Sequence, residues 1–383
     1  MAAPHSRFIH LDMLRGVAAA IVVFGHIRGF VLVDFGDVTS PGLFDKVVYF
    51  IGGMGHQAVI AFFALSGFLV GGKAVEALLA GRFSVPQYVA ARLSRLWTVV
   101  IPALLLTLAI DAVGAHLSGG RGYDGAFIGI LSSGPSPESP ADHSLLTFLG
   151  NLLFLQTILS PVYGTNGPLW SLAYEFWYYV MFPLAAWAVL SRARAWARCL
   201  ALGVSILLAA FLPSHITILG LVWLAGAAAY WLNCPPRMRG VFASNFYAAF
   251  SAALVAVSLV LTRSGGVGPD LALGFAWASI LPALTNFRSL GWLYERIAIA
   301  LSEISYTLYA MHFPLLAAIY FVLLAPGQFQ PGAMTLMLMG LLLLLCMAAA
   351  AVFWWCFERN TGVVRNWMLS ALPRPVERAR HGV

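Results

Sequence analysis

Charge is what this chain of 383 residues lacks: Asp, Glu, Lys and Arg together make up 10% of it, against about 25% in a soluble domain. With 61% of its residues hydrophobic, a water-soluble fold would expose more apolar surface than a monomer keeps in solution. Cysteine is scarce as well. Cys199, Cys234, Cys346 and Cys356 share no CxxC spacing and lie in or beside apolar runs. They read as small hydrophobes and imply neither a disulfide framework nor a metal site. No P-loop, GxGxxG, HExxH or paired-carboxylate metal box occurs. A cleavable signal peptide is not expected either: the first apolar run carries His26 and Arg28 inside it and offers no good small-residue cleavage site, so it is expected to remain as a span. No internal repeat is visible, which leaves an inverted-repeat transporter without direct support.

Long apolar runs are present instead, at 17–33, 49–70, 96–115, 168–190, 199–212, 217–232, 246–262, 271–285, 298–324 and 333–357. A run of roughly 20 residues crosses the hydrocarbon core as a helix. The expected fold is therefore an all-α polytopic membrane protein of about ten transmembrane helices. Ten spans use about 200 residues, which leaves loops and tails but no added globular domain. Chemistry must be built from helices and short loops, in one membrane domain over 1–360 followed by a short basic tail, 361–383.

The formal net charge is +7. In a chain this apolar it reflects the positive-inside bias of membrane proteins and points to the bilayer, with no nucleic acid among the partners. The hydrophobic stretch 145–160 is an eleventh candidate span, and charge decides its status. If it does not cross, 18 of the 22 basic residues fall on the cytoplasmic side, leaving Arg28, Lys46, Arg121 and Arg263 outside with an acidic group that includes Asp142 and Asp270. If it crosses, Arg192, Arg194 and Arg198 move outside. The rule favours ten spans with both termini cytoplasmic and 145–160 re-entrant or interfacial. Segment 116–144, rich in Gly, Ser and Pro, is then an external loop.

Ionisable groups inside spans are costly and mark candidate sites. Arg15 and His26 stand eleven residues apart in the first run, on one helical stripe about 16 Å apart, with Asp12 one turn before Arg15. A snorkelling arginine and a histidine bonded to a neighbouring helix would give the same pattern, but a buried imidazole also suits proton transfer near neutrality. Glu175 lies two turns into the helix that Pro168 opens, with Ser171 and Tyr179 at i−4 and i+4 as hydroxyl partners. Trp170, Tyr174, Trp177 and Tyr178 surround it; an interfacial aromatic belt explains most of these and does not explain Glu175. Ser305, Tyr309 and His312 share a further stripe, either a structural hydrogen-bonding seam or a substrate-facing one. Arg92 and Arg95, at i and i+3, present two guanidinium groups to one side, an arrangement that suits a multiply phosphorylated ligand and that positive-inside bias alone would also produce.

Together these segments resemble the membrane-bound acyltransferase 3 family of bacterial O-acyltransferases. The matching motifs are LDxLRGxAA…VVxxH (11–26), FFALSGFL (62–69), the RxxR pair Arg92 and Arg95 before a proline-containing span, NGPLWSLAYEFWYY (166–179) and SYTLYAMHFP (305–314). The resemblance implies a ten-helix core in the bacterial inner membrane that moves an acyl group, commonly acetyl, from acyl-CoA to a hydroxyl of a saccharide or glycosylated metabolite. It implies no permanently bound cofactor. The family's first-span histidine and arginine match His26 and Arg15, its RxxR matches Arg92 and Arg95, and its WSLxxE acid matches Glu175. On this reading His26 is general base or transient acyl carrier, and Glu175 and Asp12 assist it. Asp12 would sit about 21 Å from His26 along a straight helix and needs a break to reach it. Arg15, Arg92 and Arg95 hold the CoA phosphates. Trp170, Tyr174, Tyr178, Tyr309 and His312 face the acceptor, with Glu175 approached from outside. Some members carry a C-terminal hydrolase-like domain; this chain ends soon after its last run, so the membrane core is expected to complete the transfer alone. The rival function is a transporter or flippase of a glycan or lipid-linked saccharide.

Overall fold

The computed structural model describes residues 8–131 and 133–371. Arg7, Arg374, Arg378 and Arg380, counted above on the cytoplasmic side, lie outside them, as does the tail beyond residue 371. Among the described residues there are helices and a few isolated bridges but no strand. The helices are α1 (Ile9–Val31), α2 (Leu43–Gly52), α3 (Gly55–Ser66), α4 (Gly72–Leu79), α5 (Val85–Ser118), α6 (Ile128–Leu131), α7 (Leu145–Leu152), α8 (Trp170–Leu190), α9 (Ala195–Phe211), α10 (Ser214–Leu232), α11 (Pro236–Phe242), α12 (Asn245–Leu261), α13 (Val267–Asn286), α14 (Trp292–Ile319), α15 (Ala333–Cys356) and α16 (Thr361–Ser370). A π-helical turn over Gly67–Gly71 joins α3 to α4, and a second, Tyr320–Leu324, extends α14.

Among the described residues, seven helical segments are long and apolar enough to cross a membrane, or eight if α11 and α12, bent by 63°, count as one span. The molecule is thus an all-α polytopic membrane protein. Large apolar side chains such as Phe246, Leu341, Leu344 and Val352 stand exposed on its outside, where lipid rather than water would meet them. All ten runs expected from the sequence carry helix. Helix α9 falls short of the span criterion with 17 residues, and α8, interrupted by tyrosines and Glu175, does not meet it either.

Several boundaries differ from the expected ones: α1 begins at Ile9 and α14 at Trp292, ahead of their apolar runs, and two further differences shape the site. The run 49–70 is broken: the chain turns at Gly53 and Met54, and only α3 onward continues inward. Side chains make that turn crowded, since a Cβ on Gly52 would stand 3.1 Å from Arg28 and one on Gly53 would strike the Arg263 guanidinium. The third run extends back to Val85. Pro86 lies in the first turn of α5, where its missing N–H leaves no bond unmade, and Gly119 at φ 66° ends the helix in a left-handed cap.

Small residues set the closest helix approaches. A Cβ on Gly226 of α10 would fall on the Ala64 carbonyl of α3, so the two backbones touch. Gly16 likewise seats α1 against Leu301 and Ser302, and α1 runs along α14 for much of its length.

The segment 143–167 forms a hairpin laid along α5. Its two ends are tied to the buried Asp111, which accepts from His143 Nε2 (2.8 Å), Thr165 N (2.8 Å) and Thr165 Oγ1 (2.7 Å). Its turn lies elsewhere on the same helix, where Trp97 donates its indole N–H to Leu152 O (3.1 Å). Asp111 and Trp97 are 14 residues apart, about 21 Å of helix, so the chain dips by that depth and returns. The eight residues of α7 are too short to cross. Irregular backbone at this depth is satisfied by protein: Asn151 donates to Pro161 O and accepts from Tyr163 N, Gln156 donates to Leu169 O, and Trp177 donates to Phe154 O.

Candidate active site

Helices α1, α3, α5, α8 and α14 meet around two cavities placed one above the other. Along α1, Arg15 belongs to the first and His26 to the second, and because α1 is unbroken their separation stays near the 16 Å expected of eleven helical residues.

The first cavity is an open vestibule of about 410 Å³ into which Asp12, Arg15, Lys73, Arg92, Arg95 and Glu175 project. It narrows inward to about 80 Å³ between Phe62, Phe63, Tyr179, Tyr306 and Tyr309. The arginines are held, not loose. Arg15 ion-pairs with Asp12 (3.0 Å) and donates to Ser302, which itself donates to Asp12 (3.0 Å). Arg95 lies over the Tyr306 ring (5.6 Å) and 3.7 Å from Glu358, a buried carboxylate that accepts from Thr307 N (3.3 Å) and Oγ1 (2.6 Å). Arg92 lies over Tyr179 (5.6 Å).

The second cavity, of about 260 Å³, is lined by His26, Arg28, His56, Ser133, Trp170 and Tyr309, with Gly52, Gly53 and Gly55 along one edge. The hydrogen bonds fix the tautomers here. His312 Nδ1 faces two carbonyl oxygens, Leu308 O and Tyr309 O, both at 2.9 Å. Carbonyls only accept, so this nitrogen carries the proton and, in the neutral ring, Nε2 a lone pair. His26 Nδ1 lies 2.8 Å from that Nε2 and must donate to it. The remaining nitrogen of His26, Nε2, is then left as an unprotonated base.

Val59 and Tyr309 line both the narrow end of the vestibule and the histidine chamber. The Tyr309 hydroxyl donates to Pro168 O (2.8 Å) and accepts from Ser171 Oγ (2.6 Å). This pins the ring as the partition between the two spaces.

The structure sorts the residues singled out from the sequence. Arg15, Arg92, Arg95 and Glu175 gather in the vestibule, while His26, Trp170 and Tyr309 meet in the chamber, with His312 directly behind His26. Asp12 does not approach His26; it is bound to Arg15 and Ser302, and the straight helix α1 forbids the pairing. Glu175 opens to the arginine side rather than to the histidine chamber, and Ser66 of α3 (2.8 Å) takes the place expected of Ser171, with Tyr179 as its second donor. Tyr174 and Tyr178 line neither cavity. Tyr174 packs between Phe63, Trp170 and His215, and Tyr178 donates to Ile216 O (2.7 Å). Both are packing residues. Sequence reasoning passed over Ser66, His56, Asp270, Asp111 and Glu358. Asp111 could have been found, since it lies inside the run 96–115 and a carboxylate there demands partners.

A family model described as an acyltransferase domain matches residues 8–357. No curated protein and no solved structure matches the chain.

Proposed function

The chain belongs to the acyltransferase 3 family, and from that premise we propose that it moves an acyl group, acetyl first of all, from acyl-CoA to a hydroxyl of a saccharide or glycosylated metabolite. The observation that carries the reading is the pair of cavities that share Tyr309, one lined by arginines and the other by a histidine of fixed tautomer.

In this proposal the chain spans a bacterial inner membrane ten times with both termini cytoplasmic, and the vestibule faces the cytoplasm. Arg15, Arg92 and Arg95 hold the phosphates of acyl-CoA, since guanidinium groups bind phosphate through paired, charge-assisted bonds. The pantetheine arm passes between Phe62, Tyr306 and Tyr309, and its thioester reaches His26 from below. Glu175, bound by Ser66 and Tyr179, lines the same vestibule and balances part of the arginines' charge. His26 Nε2 supplies the base, or the nucleophile that carries the acyl group to the acceptor. The acceptor enters the upper chamber past Trp170, whose ring offers a face to a sugar.

The test is release of free thiol from acetyl-CoA by purified protein in the presence of a hydroxyl acceptor. Transfer is expected in the wild type and is lost in His26→Ala with the fold retained. A protein that releases no thiol with any acceptor returns the transport reading to the front.

A further inference from the structure

The upper chamber holds a second imidazole whose geometry the transfer described above does not use. His56 stands at the start of α3, lines the cavity with His26, and lies near-parallel to the Trp170 ring at 6.4 Å. Its Nε2 is 2.9 Å from both carboxylate oxygens of Asp270, which projects from the first turn of α13 and is itself buried. A carboxylate accepts only, so Nε2 carries the proton, and in the neutral imidazole Nδ1 keeps its lone pair. The His56 side chain is 44% exposed while that of Asp270 is 10% exposed. The acid is therefore walled off behind an imidazole that remains accessible. A carboxylate behind a histidine is the arrangement that orients a general base.

Resting on the acyltransferase reading above, we propose that His56, held by Asp270, is the base that takes the proton of the acceptor hydroxyl, while His26 carries the acyl group. One imidazole cannot do both at once, because the Nε2 lone pair of His26 is consumed when it bonds to the acyl carbon. In the first step His26 Nε2 attacks the thioester carbon, an N–C bond forms, the C–S bond breaks, and the thiolate leaves toward the vestibule and is protonated by water. In the second step the acceptor oxygen attacks the acyl carbon, the C–N bond breaks, and its electron pair returns to His26 Nε2. The hydroxyl proton passes to His56 Nδ1 and then to water in the chamber. The sum is ester plus free thiol, with no other reactant. Asp270 touches no substrate; it is a positioning residue that keeps the lone pair of His56 on Nδ1.

The experiment compares two acceptors on full-length protein in detergent with acetyl-CoA as donor. One is a panel of hydroxyl probes, methyl glycosides and glycerol. The other is hydroxylamine, a nucleophile that needs no base to attack an acyl-imidazole. In His56→Gln, transfer to hydroxyls is expected to fall by about a hundredfold or more, the range of a lost general base, while transfer to hydroxylamine stays within a few-fold of wild type. Asp270→Asn should show the same split with a smaller loss, because the amide can turn its N–H toward Nε2 and reverse the tautomer. His26→Gln should lose both acceptors. The proposal is overturned if His56→Gln keeps its hydroxyl rate, or if both acceptors fall together, as a packing role would produce. A wild type that uses hydroxylamine but none of the hydroxyls also overturns it. Absence of thiol release from the wild type with either acceptor refutes the acyltransferase reading itself, a result distinct from these.

Discussion

His312 offers the sharpest test of the histidine chain. It is wholly buried, makes no contact with the chamber, and acts only through its Nε2, which accepts from His26 Nδ1 at 2.8 Å. In His312→Leu that acceptor disappears and two effects follow. His26 gains positive charge as it reacts, and the bond to His312 strengthens with it, from about 0.5–1.5 kcal/mol for a neutral bond to about 1.5–3 kcal/mol for a charged one. The difference, about 1–1.5 kcal/mol, is felt only in the transition state and is worth roughly tenfold in kcat. The second effect is tautomeric: with Nδ1 unbound, part of the population carries its proton on Nε2 and cannot react. Together they predict a kcat loss of about ten- to a hundredfold, smaller than the 10²–10⁴-fold range for a missing base.

Thiol release from acetyl-CoA with hydroxylamine as acceptor reads this directly, because it isolates His26 from whatever serves the hydroxyl. KM for acetyl-CoA should stay near the wild-type value, since His312 lies on the far side of Tyr309 from the arginines. The side chain of His312→Gln carries an amide oxygen close to where Nε2 was, and should recover much of the loss. Wild-type kcat in His312→Leu would refute the proton chain. So would a glutamine variant no better than leucine, which would reduce His312 to packing.

Three further outcomes follow from other parts of the molecule. Arg92→Ala should raise KM for acetyl-CoA by about ten- to a hundredfold, the worth of one bond to a charged group, with little change in kcat; an unaltered KM would assign Arg92 to topology alone. Asp111→Ala strands the three donors from His143 and Thr165 in a buried site and should destabilise the protein by about 2–4 kcal/mol. A lower Tm and new protease cleavage between residues 143 and 167 would register it, and an unchanged cleavage pattern would show that the hairpin is held elsewhere. Asp142, at the mouth of that hairpin, is held below the usual carboxylate range by hydrogen bonds from the Thr147 hydroxyl and from Ser144. A depressed carboxylate contributes stability that is present above its unfolded pKa, near 3.9, and is lost as pH falls through the lower folded value. Asp142→Asn should thus melt below wild type at neutral pH, with the gap closing below about pH 4; a gap that stays constant from pH 7 to pH 3 would contradict the assignment.

What the sequence discloses here follows from the range of each signal. Apolar runs reveal helices because lipid demands them residue by residue, so all ten expected runs carry helix. The hairpin at 145–160 was recognised as non-crossing through charge, which is also counted locally. Its anchor was not, because Asp111 and Thr165 are 54 residues apart and no periodicity links them. Single-helix geometry was equally legible: the spacing of Arg15 and His26 predicts two different depths, and the structure places them in two different cavities. Partners across helices were not. His26 meets a residue 286 positions away, and Glu175 takes its hydroxyl from Ser66, 109 positions away, rather than from its own i−4 neighbour.

The same reasoning explains why the aromatic cluster misled. Tyr174 and Tyr178 lie four residues apart on α8 and look like a ring-lined surface, but Trp170 is one turn further toward the helix start, and only that turn reaches the chamber. Below it the facing helix α3 closes in, because the bare backbones at Gly226 and Gly67 let α10 and α3 touch, and Phe63 of α3 fills the space against Tyr174 and Tyr178. A tyrosine's role on this helix is thus set by glycines on two others. Tyr309 escapes the same fate because its hydroxyl is captured by Pro168 and Ser171 at the start of α8, which holds its ring across the gap between the cavities. The partition between the arginine-lined vestibule and the histidine chamber is thus the Tyr309 ring, held by two hydrogen bonds, with Val59 beside it.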